Sequence, residues 1–515
     1  MQQDKGRTGR RKRTRRERGD AVGEPGASYA YAHLRHPFQP QELFSPEDVA
    51  RIHDTALKVL QELGIRILLP EARGLLASAG ASVDEEMVFI GRDIVAEALK
   101  TAPRSITIRA RNPAHALRYA PGELIFKPGA GCPYATDLER GRRAGTLRDF
   151  EETLKLCQSF DVIHGFGPCV EPQDIPVNLR HYEMTRAQME FGDKPMFVYA
   201  RGRRQVQEAF EMIRLGLELD EGSFTSHVWA STVINTNSPR MIDRPMAQGL
   251  IDFARAGQMS VVTPFCLAGA MAPITVAGAL TLQHAEALAA IALAQLARPG
   301  APVSYGGFGS NVEMKSGAPA FGTPEHVKMQ LGSGQLARHV GLPWRSAAGS
   351  AANLADTQAA TENAMGVWGA LMANATMVLH AAGWLEGGLC FGYEKFVTDL
   401  DLLQSVAELC RAPDASTEAI GFAALAEVPP GGHFFGSAHT IHRYRTAFYR
   451  PLVADLSPHD SWQEQGAHTA AHRATAVWKR VLAEFTPPPG SGDAAERLRG
   501  YIDNARKRGG AMPLD

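Results

Sequence analysis

Short apolar segments alternate with amphipathic ones along most of the chain. From about residue 122, eight apolar, β-branched segments end in Gly, Pro, Asn or Ser: ELIFKPG, DVIHGFGP, PMFVYA, HVWASTVINTNSP, SVVTPFCLAG, PVSYGGFGS, LPWRSAAGS and TMVLHAAG. Helical patterns such as RRQVQEAFEMIRLGLEL separate them. Eight strands with helices between them predict an α/β fold, a parallel (β/α)8 TIM barrel, and a doubly wound open sheet is the alternative.

The segments on either side of the predicted barrel follow other patterns. In SPEDVARIHDTALKVLQELG, Ser45 is a suitable N-cap, Pro46 stands at the first helical position and Gly64 is a stop, so the segment predicts an amphipathic helix. Two shorter helical patterns and the turn-rich SITIRARNPAHALRYA follow. We therefore divide the chain into a basic tail at 1–40, an N-terminal helical and hairpin elaboration at 41–121, the barrel at 122–480 and a C-terminal helical extension at 481–515.

Composition and charge exclude several classes of protein. A chain of 515 residues that is 44% hydrophobic can bury a large core, and its formal net charge of -1 draws it to neither nucleic acid nor membrane. The basic run from Lys5 to Asp20 predicts a solvated, disordered tail, with a twin-arginine export signal as the alternative. The apolar segment that export requires does not follow it, and no uninterrupted apolar stretch reaches the roughly 18 residues of a transmembrane helix. We expect a cytoplasmic protein.

The motifs of nucleotide and serine-hydrolase chemistry are missing. GGFGSN and GAGCPY do not match GxGxxG, and neither a phosphate-binding P-loop nor a GxSxG motif is present. The six cysteines are scattered, which predicts reduced, buried thiols instead of disulfides or a thiolate zinc site. The best metal candidate is GGHFFGSAHTIH, with His433, His439 and His442, but lone histidines more often line an organic site or bond within a core, and we predict no metal site.

In a barrel, chemistry takes place where the strands end. The side chains at these positions are mostly aromatic rings and amides: Asn235, Asn237, Phe265, Tyr305, Phe308, Asp356, Gln358, His380, Trp384 and Glu386. Packing can explain each ring by itself, and Asp356 can serve simply as a helix N-cap. Glu386 is harder to explain, since a carboxylate buried beside Trp384 costs several kcal/mol unless a cation meets it.

Four long motifs resemble one known family. TPFCLAGAMAPITVAGAL, APVSYGGFGSNVEM, HAAGWLEGGLCFGYEKFVTD and PGGHFFGSAHTIHRYRTAFYRP are similar to the trimethylamine methyltransferase family, including its glycine betaine branch. The resemblance implies a barrel that moves a methyl group from a methylated amine to the Co(I) corrinoid of a separate carrier protein, giving methyl-Co(III). It therefore implies that this chain binds no cofactor of its own. The implied partners are a corrinoid-binding protein and a small quaternary or methylated amine, without nucleic acid or membrane, and a homodimer is left open.

One departure from the family narrows the substrate. Trimethylamine-specific members carry pyrrolysine in the stretch that corresponds to GSAANLADTQA, near Leu354, whereas this chain has ordinary residues there. The branch without pyrrolysine, which acts on quaternary amines such as glycine betaine, is the closer match. A quaternary ammonium is already activated as a methyl donor because its leaving group is a neutral amine.

The resemblance and the residues together predict a cation site. Aromatic faces attract a quaternary ammonium, and we predict that Glu386 balances the charge of the substrate. The predicted substrate contacts are Phe265, Tyr305, Phe308, Leu354, Asp356, Gln358, His380, Trp384, Phe391 and His433. The alternatives are a non-catalytic binder of quaternary amines, a related enzyme with another methylated substrate, and an unrelated barrel lyase.

Overall fold

The computed structural model describes residues 31–513, so most of the predicted basic tail lies outside the described residues. The strands are β1 (Leu34–Arg35), β2 (Ile65–Ile67), β3 (Ser82–Asp84), β4 (Met87–Phe89), β5 (Ile106–Ile108), β6 (Leu117–Tyr119), β7 (Glu123–Phe126), β8 (Tyr134–Thr136), β9 (Arg143–Ala144), β10 (Met196–Phe197), β11 (Ala230–Ile234), β12 (Met241–Ile242), β13 (Met259–Val262), β14 (Phe265–Ala268), β15 (Val303–Gly306), β16 (Phe308–Val312), β17 (Pro319–Ala320), β18 (Trp344–Ala347), β19 (Met377–Leu379), β20 (Trp384–Leu385) and β21 (Cys390–Gly392). The helices are α1 (Pro46–Lys58), α2 (Pro70–Ser78), α3 (Arg92–Thr101), α4 (Leu147–Ser159), α5 (Arg180–Phe191), α6 (Arg203–Leu217), α7 (Glu221–Thr225), α8 (Arg244–Arg255), α9 (Val276–Ala297), α10 (Pro324–Val340), α11 (Thr357–Met372), α12 (Tyr393–Leu409), α13 (Thr417–Ile420), α14 (Phe422–Glu427), α15 (Ala438–Arg443), α16 (His459–Glu464), α17 (Ala470–Glu484) and α18 (Ser491–Lys507).

The central sheet has eight strands in the order β1-β7-β19-β18-β15-β13-β11-β10. Seven of them pair in parallel, and β1 joins the edge strand β7 in the antiparallel sense. These seven parallel strands lie in seven of the eight predicted segments, and helices follow them in the alternating manner of an α/β fold.

The eighth predicted strand, DVIHGFGP, is wrong as a regular strand. Its residues form turns and irregular backbone, because Gly165, Gly167 and the proline that follows interrupt a strand. The segment nevertheless contacts both edges of the parallel sheet: His164 N donates to Phe126 O in β7 at 3.0 Å, and Phe166 N donates to Pro195 O beside β10 at 3.4 Å.

The long helix α9 is apolar on all sides because it is enclosed. It packs against α1, α3, α8 and α10 and lies behind β14 and β15. By length and composition alone it could cross a membrane, but 78% of its most apolar window is buried inside the protein. A helix that is hydrophobic around its whole circumference is expected in the core of a large protein.

Helices and a hairpin lie before and after the central strands along the chain, and the predicted division into domains stays a prediction. Ser45 caps α1 by accepting from Asp48 N, and the helical turns beyond α1 end at Gly64 with φ +67°. The hairpin β5–β6 packs into an apolar cluster with Ile125 and Met377 of the central strands. At the other end of the chain, α17 packs on α12 and α18 packs on α5 and α6.

Two smaller sheets extend from the carboxyl ends of the central strands. β14 and β16 follow β13 and β15, pair in parallel, and are joined by β17. β20 and β21, which follow β19, combine with β8 and β9. The β5–β6 hairpin covers the amino end of the central sheet. The added strands surround the opposite, carboxyl end, which is therefore where we look for a functional site.

Candidate functional site

Five rings meet above the carboxyl ends of the central strands, and we call them the aromatic cluster: Phe265, Phe308, Phe321, His380 and Trp384. Phe308 lies at the centre, with ring centroids 5.0 Å from Phe265, 5.2 Å from Phe321, 5.4 Å from His380 and 5.8 Å from Trp384. Four of the five belong to the predicted set. Phe321 was missed, because nothing in GAPAFGTPEH distinguishes it from a packing residue.

The first strands beyond the central sheet bring two of these rings together. Phe265 opens β14 and Phe308 opens β16, and the parallel register pairs them. His380 follows β19 and adopts φ +59°, a left-handed conformation that is uncommon for a residue with a side chain and is often found at functional sites.

His380 is neutral in this environment. Burial, with a smaller contribution from the charge of Arg345, holds the pKa of His380 well below its usual value. Its Nδ1 accepts from Ala130 N at 3.2 Å, so the single ring proton lies on Nε2. A neutral imidazole does not repel a cation placed among the rings.

The Trp384 indole is held on several sides. It stacks on His380 with ring centroids 4.3 Å apart, and its Nε1 donates to Ala130 O at 3.3 Å. A Cβ added at Gly349 or Gly388 would lie 2.3 or 2.4 Å from indole carbons. These glycines, both with φ above +100°, therefore leave the space that the indole fills.

A buried arginine adjoins the cluster. Arg345 lies in β18 with its guanidinium carbon 4.8 Å from the centroid of Phe308, and it is 1% exposed. In β19 its register partner is Met377, which packs against the β5–β6 hairpin. Residues in register point to the same side of a sheet, so the side chains of Arg345 and Met377 both lie on the face that the hairpin covers, which we call the inner face. The Nε and Nη1 atoms have no hydrogen-bond partner among residues 31–513, and burial lowers the pKa of Arg345 to about 9.

A second buried cation follows β7. Lys127 is 3% exposed, its Nζ lies 3.4 Å from Ser231 Oγ, and burial lowers its pKa to about 8. Within the described part of the chain, neither Lys127 nor Arg345 forms an ion pair. Sequence reasoning missed both, although a charged residue inside the apolar strand segments LPWRSAAGS and ELIFKPG was a usable signal.

The buried Lys194 is arranged differently. Its Nζ donates to the backbone carbonyls of Cys157, Phe160 and Ile163 at 2.6 to 2.9 Å. Such a lysine is satisfied by the fold itself, and the comparison shows how few contacts Lys127 has.

The cation that meets Glu386 is Arg142. The guanidinium binds the carboxylate in a bidentate manner, with 2.9 Å from Nε to Oε1 and 2.9 Å from Nη2 to Oε2. Arg142 also lies over the ring of Tyr134, 3.8 Å from its centroid. Glu386 thus has a protein partner, and its predicted contact with a substrate cation stays a prediction.

Three other predicted residues lie around the loop between β18 and α11. Asp356 is the N-cap of α11, where it accepts from the backbone N of Gln358, and Gln358 donates to Glu362. Leu354 is 68% exposed. The backbone of this loop is bonded to the Glu386 turn, because Glu386 N donates to Ala352 O.

The remaining predicted residues contact other parts of the protein. Tyr305 places its hydroxyl 3.0 Å from Nδ1 of His284, in the helix α9 behind the sheet. Phe391 is fully buried, with its ring 5.7 Å from that of Phe396. His433 is exposed in the segment that precedes α15, with its ring 5.5 Å from that of Phe435.

The thiols and histidines form no described metal site. All six cysteines are free, five of them are buried, and Cys157 and Cys169 have their sulfurs 3.9 Å apart. In the part of the chain that the structure describes, no group of three or more His, Cys, Asp or Glu side chains is arranged to hold a metal ion.

Comparisons with known proteins agree on one family. The family model described as Trimethylamine methyltransferase (MTTB) matches residues 7–510. The glycine betaine methyltransferase of Desulfitobacterium hafniense (strain Y51) is 32% identical over 470 residues, which are 91% of this chain and 98% of that protein. The proline betaine:corrinoid methyltransferase of Eubacterium limosum is 27% identical over 90% of this chain and 97% of that protein. The trimethylamine methyltransferase MttB of Desulfitobacterium hafniense (strain DSM 10664 / DCB-2) is 27% identical over 89% and 93%.

Among solved structures, the monomethylamine methyltransferase of Methanosarcina barkeri is 9% identical, with a TM-score of 0.46, covering 90% of this chain and 88% of that one. The family is decided by the sequence matches, which span nearly the whole chain. The chain is a methyltransferase and belongs to the trimethylamine methyltransferase (MTTB) family.

Proposed function

We propose that this protein transfers a methyl group from glycine betaine, or a similar betaine, to a corrinoid carried by a partner protein. The observation that carries the proposal is the aromatic cluster around Phe308, at the carboxyl end of the sheet. The similarity to betaine methyltransferases over nearly their full lengths supports it.

The reaction requires the protein only to bind the quaternary ammonium and to orient one of its methyl groups. The bond between one methyl carbon and the quaternary nitrogen breaks, its electron pair stays on nitrogen, and a neutral tertiary amine leaves. The corrinoid supplies the cobalt nucleophile when its carrier docks. The rings hold the cation, each contributing about 0.5 to 2 kcal/mol, and fix its orientation.

A neutral His380 can hold the substrate cation together with the other rings. The positive charge on the substrate nitrogen falls as the methyl group leaves, so all the rings bind the ground state at least as well as the transition state. Their loss should therefore raise KM more than it lowers kcat.

We propose further that the central sheet closes into a (β/α)8 barrel. The support is the segment around His164 and Phe166, whose backbone donates to both edges of the parallel sheet. A closed barrel would place the aromatic cluster at its carboxyl mouth, where active sites of this fold lie. The corrinoid carrier would then cap that mouth from outside, and the chain itself would purify without bound corrinoid.

We also propose that the protein acts in the cytoplasm.

The loop from Gly349 to Asp356 supports a quaternary amine over trimethylamine. It holds ordinary residues where pyrrolysine is expected in trimethylamine-specific enzymes, and Leu354 is exposed there. A tertiary amine becomes a good methyl donor only after activation, and a betaine needs none.

The test is an anaerobic absorbance assay with the whole chain and a corrinoid protein reduced to Co(I). Glycine betaine should remove the Co(I) band in the presence of the enzyme, and trimethylamine should leave it. Phe308→Leu should raise KM for glycine betaine, whereas Phe253→Leu, at a buried ring of α8 that packs on Phe210, is the matched control and should leave KM unchanged. Binding of glycine betaine without any loss of the Co(I) band would instead identify a non-catalytic binder.

A further inference from the structure

We propose that Arg345 forms an anion subsite that receives the carboxylate of the substrate, beside the rings that hold its ammonium group. The inference rests on the proposed function and deepens it, because it assigns the enzyme to zwitterionic betaines and away from purely cationic amines. Arg345 becomes a residue that determines specificity and contacts the substrate.

The first support is the state of the guanidinium. Arginine is almost never fully buried unless it is paired, because desolvation of a charge costs several kcal/mol. Arg345 is 1% exposed, and its Nε and Nη1 have no acceptor among the described residues. Buried donors without an acceptor mark a place where a ligand can complete the hydrogen bonds.

The second support is the chemistry of the group. The planar guanidinium presents parallel N–H donors that match a carboxylate in a bidentate manner, and such bonds are about twice as strong as neutral ones. The Arg142–Glu386 pair shows this geometry elsewhere in the protein. Arg345 carries the same guanidinium, with its Nε and Nη1 unpaired and no carboxylate in place among the described residues.

The third support is the distance between the two halves of the site. In glycine betaine, the nitrogen and the carboxylate carbon are two bonds apart, about 2.5 Å by standard covalent dimensions. A protein that binds both groups needs its cation and its ring faces next to each other. Phe308 provides this contact, since the Arg345 guanidinium carbon lies 4.8 Å from its centroid and four other rings surround it.

Lys127 strengthens the positive potential inside the sheet. It follows β7, and its Nζ lies near Ser231 in β11, so it crosses the interior from one side. Ile125 lies two residues before Lys127, so the two side chains point to the same face. Ile125 is in register with Met377, which is in register with Arg345, so Lys127 and Arg345 lie on one face of the sheet. Two buried cations on the inner face favour an anionic group, and an ammonium ion alone would meet only repulsion from them.

The experiment measures binding by calorimetry on the full chain, independently of methyl transfer. Three probes separate the two charges: glycine betaine, its methyl ester, which keeps the ammonium and lacks the carboxylate, and 3,3-dimethylbutyrate, which keeps the carboxylate and replaces nitrogen by carbon. The variants are Arg345→Met and Arg345→Lys. The matched control is Arg338→Met, at a part-buried arginine in α10 that donates to Ala373 O.

Arg345→Met should lower the affinity for glycine betaine and for 3,3-dimethylbutyrate by about 10- to 100-fold, the usual range for losing a charge-assisted contact. The affinity for the methyl ester should stay unchanged or rise. Arg345→Lys should recover part of the loss, and Arg338→Met should resemble the unmodified protein with all three probes.

Equal weakening of the ester and the betaine in Arg345→Met, or unchanged betaine affinity, would overturn the proposal. Failure of the proposed function looks different. In that case 3,3-dimethylbutyrate and glycine betaine would bind through Arg345 while the absorbance assay showed no methyl transfer.

Discussion

Arg345→Met should make the ligand-free protein more stable, although it alters a buried core position. The substitution removes the charged guanidinium and keeps an unbranched but shorter apolar side chain. Burial lowers the pKa of Arg345 to about 9, and this depression corresponds to about 5 kcal/mol of unfavourable free energy for the charged form, at about 1.4 kcal/mol per pH unit. The contact with Phe308 returns about 2 kcal/mol in the unmodified protein, and the flexible methionine packs less precisely. We therefore expect a net gain of about 1 to 3 kcal/mol in the free energy of unfolding.

The sign of the pH dependence follows from the same charge. The unfolded chain keeps this arginine protonated throughout, so the cost in the folded state is fully present at pH 7 and is relieved as pH rises above about 9. The difference between Arg345→Met and the unmodified protein should shrink over that range.

Urea unfolding, followed by tryptophan fluorescence and checked for reversibility, measures the effect. Glycine betaine at 100 times its dissociation constant should stabilise the unmodified protein by about 2.7 kcal/mol and should act far less on Arg345→Met. Arg338→Met should lose stability, because the carbonyl of Ala373 loses its donor. A ligand-free Arg345→Met protein that is less stable than the unmodified one would refute the reasoning and make Arg345 a structural residue.

Three further outcomes are expected. The stability of the unmodified protein should rise between pH 8 and about 10.4, because burial lowers the pKa of both Lys127 and Lys194 to about 8 and the folded state releases their protons before the unfolded chain does. Urea unfolding of Lys127→Met should show this rise reduced. Lys194→Met should in addition be less stable at pH 7, since three carbonyls lose their donor. Glu386→Gln should leave KM for glycine betaine nearly unchanged in steady-state assays, because Arg142 already engages the carboxylate. A KM raised about 10- to 100-fold at nearly constant kcat would instead support the sequence-based prediction that Glu386 balances the substrate cation. Dialysis against a chelator should leave the methyl-transfer rate intact, and zinc content that tracks activity would contradict this.

Much of the sheet could be predicted from the sequence. Seven β-branched segments bounded by Gly, Pro, Asn or Ser coincide with the seven parallel strands, since buried parallel strands are apolar on both faces. DVIHGFGP failed because its glycines and proline permit extended backbone without a regular ladder. The meeting of Phe265, Phe308, His380 and Trp384 was also predictable, because the carboxyl ends of parallel strands lie at one edge.

The direction of individual side chains was not predictable. Tyr305 and Phe308 are three residues apart, yet Tyr305 faces the helix layer while Phe308 opens a new strand inside the site. The two glycines between them let the chain change direction, and the pattern of apolar and polar residues gives no sign of that change. Arg142 and Glu386 are 244 residues apart, so their pair depends on a tertiary contact.

The sign of the unpaired charge bears on the substrate more directly than the rings do. Aromatic faces bind any quaternary ammonium, so the cluster around Phe308 admits choline and betaine alike. A site for a purely cationic amine would be expected to hold a free carboxylate near the rings, and Glu386 is instead engaged by Arg142. The unpaired buried charge next to Phe308 is the positive Arg345. A zwitterion supplies the missing anion itself, so the same molecule that fills the aromatic cluster also removes the cost of burying the arginine.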